Sequence, residues 1–232
     1  MTALKLGIPS KGRLQAHTID WFATLGLMVE TADGGREYSG RVTGIDAVEL
    51  VLLSAGEIPR ELAAGRIHLG LTGRDMVEER IPGWQDRLDP IAVPGFGHAD
   101  LILAVPAAWI DVTTLDDLDA VASAFRARHG HRLRIATKYH NLVRAFLTEH
   151  DIADYQLVDS QGATEGTIRN HTAEAIADIT STGATLVANH LRPLDDAPIL
   201  KSEAVLYAAR AAEWSAEAKS ALTDIRARLD NC

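Results

Sequence analysis

The chain has 232 residues, enough for one large domain or two smaller ones around a sizeable core. An apolar fraction of 47% and a charged fraction of 24% are ordinary for a globular protein, while a net charge of −9 argues against a general nucleic-acid binder, which needs a basic face. The one cysteine, Cys232, rules out a disulfide framework within one chain.

Leu4–Pro9 (LKLGIP) reads as a short buried strand. A helical pattern follows, with Leu14, Ile19, Trp21, Phe22 and Leu25 apolar and Gly26 as its stop. Ala47–Ala55 (AVELVLLSA) is a second buried strand. Pro59 opens a short helix ending at Gly65, and Ile67–Gly73 (IHLGLTG) is a third strand. From Pro90 to Gly97 the sequence turns rich in Pro and Gly, as at a crossing between lobes. A second strand–helix series begins at Asp100–Pro106 (DLILAVP). It continues through Leu133–Tyr139, Tyr155–Ser160 and Ala173–Ile179. A helix over TGATLVANHL precedes a second crossing in RPLDDAP. KSEAVLYAAR then reads as one strand, and Glu213–Leu229 as an amphipathic helix.

This alternation predicts an α/β fold of two lobes, with mostly parallel sheets and helices on both faces. The expected first lobe joins residues 1–94 to 196–232, and the second spans 95–195. Two crossings put a cleft between the lobes, and clefts and the carboxyl ends of parallel strands are favoured ligand sites. No apolar run approaches the roughly 20 residues of a membrane span. The opening MTALKLGIPSKGRL lacks the apolar core of a signal peptide, so a cytoplasmic location is expected.

The residues that bear on chemistry sit just after strands. In ADITSTGATL (Ala177–Leu186) an aspartate ends an apolar run and a Ser/Thr/Gly turn opens a helix. Thr180 or Ser181 would cap that helix, whose first N–H groups lack intrahelical partners and attract phosphate. Gly183 lets backbone approach an anion, and Ser181, Thr182 and Thr185 add hydroxyl donors. Asp178 suits sugar hydroxyls or a metal instead. A plain helix cap and a seat for a sugar phosphate both satisfy this pattern. In IPSKGRL, Lys11 and Arg13 flank Gly12 where a helix begins, against the dipole, a conflict that a bound polyanion would relieve. Arg36 lies in a Gly-rich loop, Gly73 and Arg74 follow one strand, and Lys138 and Tyr139 follow another. Glu165 is a lone acid in QGATEGT. Each alone reads more readily as a loop charge than as a site residue; their shared placement after strands is the signal.

Four stretches, KLGIPSKGRL, GLTGRDM, RIATKYHNL and DITSTGATLVAN, occur in the order and approximate spacing of the ATP phosphoribosyltransferase family, which the chain resembles over nearly its whole length. Its length resembles the short form, which lacks a C-terminal regulatory domain. The resemblance implies a type II periplasmic-binding-protein-like fold and a magnesium-requiring reaction. ATP and 5-phosphoribosyl 1-pyrophosphate give N1-(5-phosphoribosyl)-ATP and pyrophosphate, the first step of histidine biosynthesis. It also implies a homodimer joining a histidyl-tRNA-synthetase-like regulatory subunit in a hetero-octamer.

By that resemblance Ser181, Thr182, Gly183, Ala184 and Thr185 would bind the 5-phosphate, and Asp178 and Glu165 the ribose hydroxyls, directly or with Mg²⁺. The metal would be held mainly by substrate phosphates. Lys11 and Arg13 would face pyrophosphate and the ATP phosphates. Arg36 would assist pyrophosphate departure, reaching across a dimer. Gly73, Arg74, Lys138 and Tyr139 would line the nucleotide site. The chain departs from the family pattern at His190, where glycine is usual, at Arg74, where lysine is common, and in the linker TEGTIRNHTAEA. Three alternatives stand beside this reading: a phosphoribosyltransferase with another acceptor, a non-catalytic bilobal solute-binding module, and a regulatory subunit without activity.

Overall fold

The computed structural model describes residues 3–31, 39–160, 162–196 and 198–231. The chain divides into two compact units, Met1–His98 with Glu203–Cys232 and Ala99–Ser202.

In the first unit, β1 (Leu4–Pro9) leads into α1 (Gly12–Thr24), followed by β2 (Met28–Thr31), β3 (Ser39–Thr43) and β4 (Val48–Leu53). Next come α2 (Ile58–Ala63), β5 (Leu69–Gly73), α3 (Arg74–Arg80), a 3-10 turn and β6 (Leu88–Ala92). The second unit holds β7 (Ala99–Pro106), α4 (Leu115–His129), β8 (Leu133–Thr137), α5 (His140–Glu149) and β9 (Tyr155–Asp159). It continues with α6 (Gly166–Arg169), β10 (Ala175–Thr180), α7 (Ala184–Ala188), β11 (Leu191–Pro193) and β12 (Leu200–Ser202). The chain then returns to the first unit as β13 (Ala204–Ala209) and α8 (Ala216–Leu229).

Both sheets are mixed, which corrects the expectation of mostly parallel ones. The first has the order β2-β3-β4-β1-β5-β13-β6, and only its centre, β4-β1-β5, is parallel. The β2–β3 and β3–β4 pairs and both neighbours of β13 are antiparallel. The second has the order β11-β7-β10-β8-β9, with β12 also on β7, and only β10-β8-β9 is parallel. The physical reason is the returning chain. A strand entering from the other unit, or turning back through a tight loop, has no helical crossover to reverse it and pairs antiparallel.

Pro90 lies inside β6, and Arg192–Pro193 completes β11; the chain passes between units at His98/Ala99, just after the first Pro- and Gly-rich stretch, and at Ser202/Glu203, after the second. KSEAVLYAAR is not one strand. It breaks at Glu203, with β12 on β7 of the second sheet and β13 between β5 and β6 of the first.

β13 shows why apolar runs mark this sheet. Ala204, Leu206 and Ala208 belong to a core with Leu6, Ile8, Phe22 and, from α8, Ala218 and Ile225. Val205, Tyr207 and Ala209 pack on the other face with Ile58 and Leu62 of α2 and Val77 of α3. A strand covered on both faces has no polar side, so it reads as continuously apolar. In the second unit Ala175, Ile176 and Ala177 of β10 are completely buried. They lead directly to the half-buried Asp178.

Candidate active site

In the second unit, β9, β8 and β10 run parallel side by side, and their registers align Thr137 with both Asp159 and Ala177. Three loops therefore leave the carboxyl edge of this sheet together: Lys138–Tyr139 after β8, Ser160 and 162–165 after β9, and Ser181–Gly183 after β10. Such edges collect ligand sites because each strand end releases a loop at the same level.

Buried hydroxyls hold these loops. Thr137 is fully buried; its Oγ1 accepts the N–H of Tyr139 at 2.9 Å and its carbonyl accepts the N–H of Ser160 at 3.2 Å. Ser160 and Thr164 are buried and share a hydroxyl–hydroxyl bond of 2.7 Å, fixing the turn just ahead of Glu165. Glu165 is half-buried at the start of α6, an element that packs on β10. Lys138 is exposed, whereas Tyr139 is 4% exposed, so its ring belongs to the core.

The turn after β10 is built locally. One Asp178 carboxylate oxygen accepts the N–H of Ile179 at 2.8 Å, which orients the group. Thr180 Oγ1 accepts the N–H of Gly183 at 3.0 Å and Thr182 Oγ1 that of Ala184 at 3.4 Å. The helix cap itself is Gly183, at φ 73°, and no side chain caps it, so Thr180 and Ser181 are not the cap residues expected. A left-handed cap suits glycine, and the hydroxyls of Ser181, Thr182 and Thr185 lie on exposed residues.

The first unit has its own cluster at the carboxyl ends of β4, β1 and β5. Lys11 is the extended cap of α1 and Gly12 follows at φ 83°; a Cβ there would meet open space, so the requirement is conformational. Lys11 and Arg13 are both exposed. Gly73 caps α3, but the Arg74 guanidinium is turned along the helix to Glu78, with Nε 2.7 Å from the carboxylate. Arg36 lies outside the described residues. Sequence reasoning missed the loop after β4, where Glu57 accepts the N–H of Ser54 at 2.9 Å; hydrogen bonds from the Ser54 hydroxyl and then its N–H hold the carboxyl below the usual range. Its signal was present in LLSAGE, a buried strand followed by small residues. Among the described residues no group of three His, Cys, Asp or Glu side chains could hold a metal ion, and no helix is long and apolar enough to cross a membrane.

A family model described as HisG, ATP phosphoribosyltransferase, matches residues 54–231. The ATP phosphoribosyltransferase of Cereibacter sphaeroides is 64% identical over 226 residues, covering 97% of this chain and 95% of that protein. The chain belongs to the ATP phosphoribosyltransferase family. That of Rhodopseudomonas palustris is 51% identical over 94% of this chain and 67% of its own length. Among solved structures, the ATP phosphoribosyl transferase (HisG:HisZ) complex from Thermotoga maritima superposes with a TM-score of 0.72 at 20% identity, covering 99% of this chain and 100% of that one. An ABC-transporter choline binding protein gives 0.56 at 10% identity, covering 95% and 75%, a likeness of fold alone. Within the family's frame, the second unit carries the DITSTGAT loop and the first carries SKGR and TGRD.

Proposed function

We propose that the chain condenses ATP with 5-phosphoribosyl 1-pyrophosphate, releasing pyrophosphate and N1-(5-phosphoribosyl)-ATP. The observation that carries this reading is the grouping of Asp178, Glu165 and the Ser181–Thr185 loop at one sheet edge, within a chain 64% identical to a named relative. An anion seat beside two acids matches a phosphorylated sugar with hydroxyls to hold. The loop's N–H groups and hydroxyls would take the 5-phosphate, and Asp178 and Glu165 the ribose hydroxyls.

Adenine N1 already has a lone pair, so attack on the anomeric carbon needs no strong base. Positioning and charge stabilisation remain as the protein's work. Lys11 and Arg13, exposed at the turn after β1, would bind the pyrophosphate and ATP phosphates, and Arg36 would assist the leaving group. Gly73 and Lys138 would line the nucleotide site. Arg74 would reach it by leaving Glu78, and the buried Tyr139 would support it from beneath. Magnesium supplies charge neutralisation on the phosphates when bound. The donor set fits a hard cation held through substrate oxygens with one or two carboxylates, Asp178 or Glu165. A separate regulatory subunit joining a dimer of this chain, in the cytoplasm, completes the reading.

The test mixes purified protein with ATP, phosphoribosyl pyrophosphate and Mg²⁺. Ultraviolet absorbance of the N1-substituted adenine is followed with and without the regulatory subunit. Product formation is expected, and its absence in both mixtures defeats the proposal. Arg13→Ala should lower kcat by roughly 10²–10³, as for loss of one charge-stabilising donor, with a smaller change in KM for the sugar.

A further inference from the structure

The second sheet ends on β9, whose outer edge pairs with no other strand among the described residues. Natural sheets blunt such edges with proline, charge or brevity. The edge strand β6 contains Pro90, and β11 is three residues long and ends in Pro193. β9 has no proline, and its one charge is the exposed Asp159 at its carboxyl end, which leaves Tyr155 to Val158 without either device.

A groove of about 630 Å³ lies beside this edge, at the end away from the Glu165 loop. Its lining includes Tyr155, Gln156 and Leu157 of β9, Arg144 and Thr148 of α5, and Arg132 just before β8. Neighbouring arginines are committed, Arg126 to Asp154 and Arg134 to Glu174. Among the described residues Arg132 and Arg144 make no such close ion pair, Arg132 acting on Asp154 only as a nearby charge, and the lining holds a single acid, Asp151. An open backbone edge and a locally cationic wall thus lie side by side on a chain whose net charge is −9.

We propose that this slot receives an extended, acid-bearing segment of the regulatory subunit as an added strand on β9. Backbone hydrogen bonds supply the affinity of such strand addition, and side-chain pockets its register. Arg132 and Arg144 attract acids beside this edge, which fixes orientation. The inference rests on the reading that a regulatory subunit binds.

The experiment combines the full chain with that subunit and follows amide hydrogen exchange, with native mass spectrometry for assembly. Exchange at Tyr155–Leu157 should slow at least tenfold on assembly. The Arg132→Glu/Arg144→Glu variant should bind the subunit at least tenfold more weakly, with kcat of the isolated chain unchanged. A complex that forms with unchanged exchange at these amides overturns the strand addition alone. A wild-type mixture that forms no complex overturns the partner reading and this inference with it. If the double variant misfolds, the wild-type exchange result decides.

Discussion

Asp178 shows what one residue contributes. The apolar run ahead of it is wholly buried, and its carboxylate is oriented by the N–H of the next residue. Asp178→Asn keeps the size and the local bond but loses the charge. Its affinity for phosphoribosyl pyrophosphate should fall about tenfold, or about 1.4 kcal/mol, with Tm unchanged; calorimetry showing equal affinity would refute the ribose role. Asp117 is a second informative residue. It accepts the backbone N–H groups of Thr113 and Thr114 and both threonine hydroxyls, which holds its pKa at about 2 against an ordinary 3.8. A carboxyl with a depressed folded pKa stabilises above its unfolded value and loses that contribution as pH falls through the folded one. Asp117→Asn should therefore lower Tm at pH 6, and the difference should shrink between about pH 4 and pH 2. A Tm difference independent of pH over that range would contradict the charge-based cap.

At the scale of elements, helix ends set the geometry. α7 is five residues long and is followed by His190 at φ 55°, where a helix end favours glycine. The left-handed conformation costs a side-chain-bearing residue about 1–2 kcal/mol, whereas glycine's extra unfolded entropy costs roughly 0.5–1 kcal/mol. His190→Gly should accordingly stabilise the second unit by about 0.5–1 kcal/mol in urea unfolding. Arg228 of α8 acts on the first unit. Its guanidinium donates to the carbonyls of Leu25 and Gly26 after α1 and of Gly44 after β3. Arg228→Ala removes charged donors from three carbonyls and should cost about 1.5–3 kcal/mol, measured by the same unfolding curves.

For the whole molecule, chain connectivity predicts which parts fold alone. Residues 99–202 are contiguous and contain every strand of their sheet. Expressed alone they should unfold in one cooperative transition by circular dichroism. Residues 1–98 lack β13, the strand that joins β5 to β6 and contributes to both cores. That fragment should show no cooperative transition, whereas its covalent fusion to 203–232 should restore one.

Buried strands at Leu4–Pro9, within Ala47–Ala55 and at Leu133–Thr137 were legible because a strand covered on both faces is uniformly apolar. The glycine- and hydroxyl-bearing turns after β1 and β10 stood out in chain order too, whereas the loop after β4 did not. That local information carried the α/β class and the four family stretches. Strand direction was not local. KSEAVLYAAR reads as one run, yet Glu203 divides it between two sheets because its two halves meet different partners. The commitment of Arg74 to Glu78, the burial of Tyr139 and the bond between Ser160 and Thr164 also depend on neighbours that only folding supplies. Composition and periodicity fix what each segment prefers; pairing, register and the fate of each polar side chain follow from which surfaces compete for it once the chain has folded.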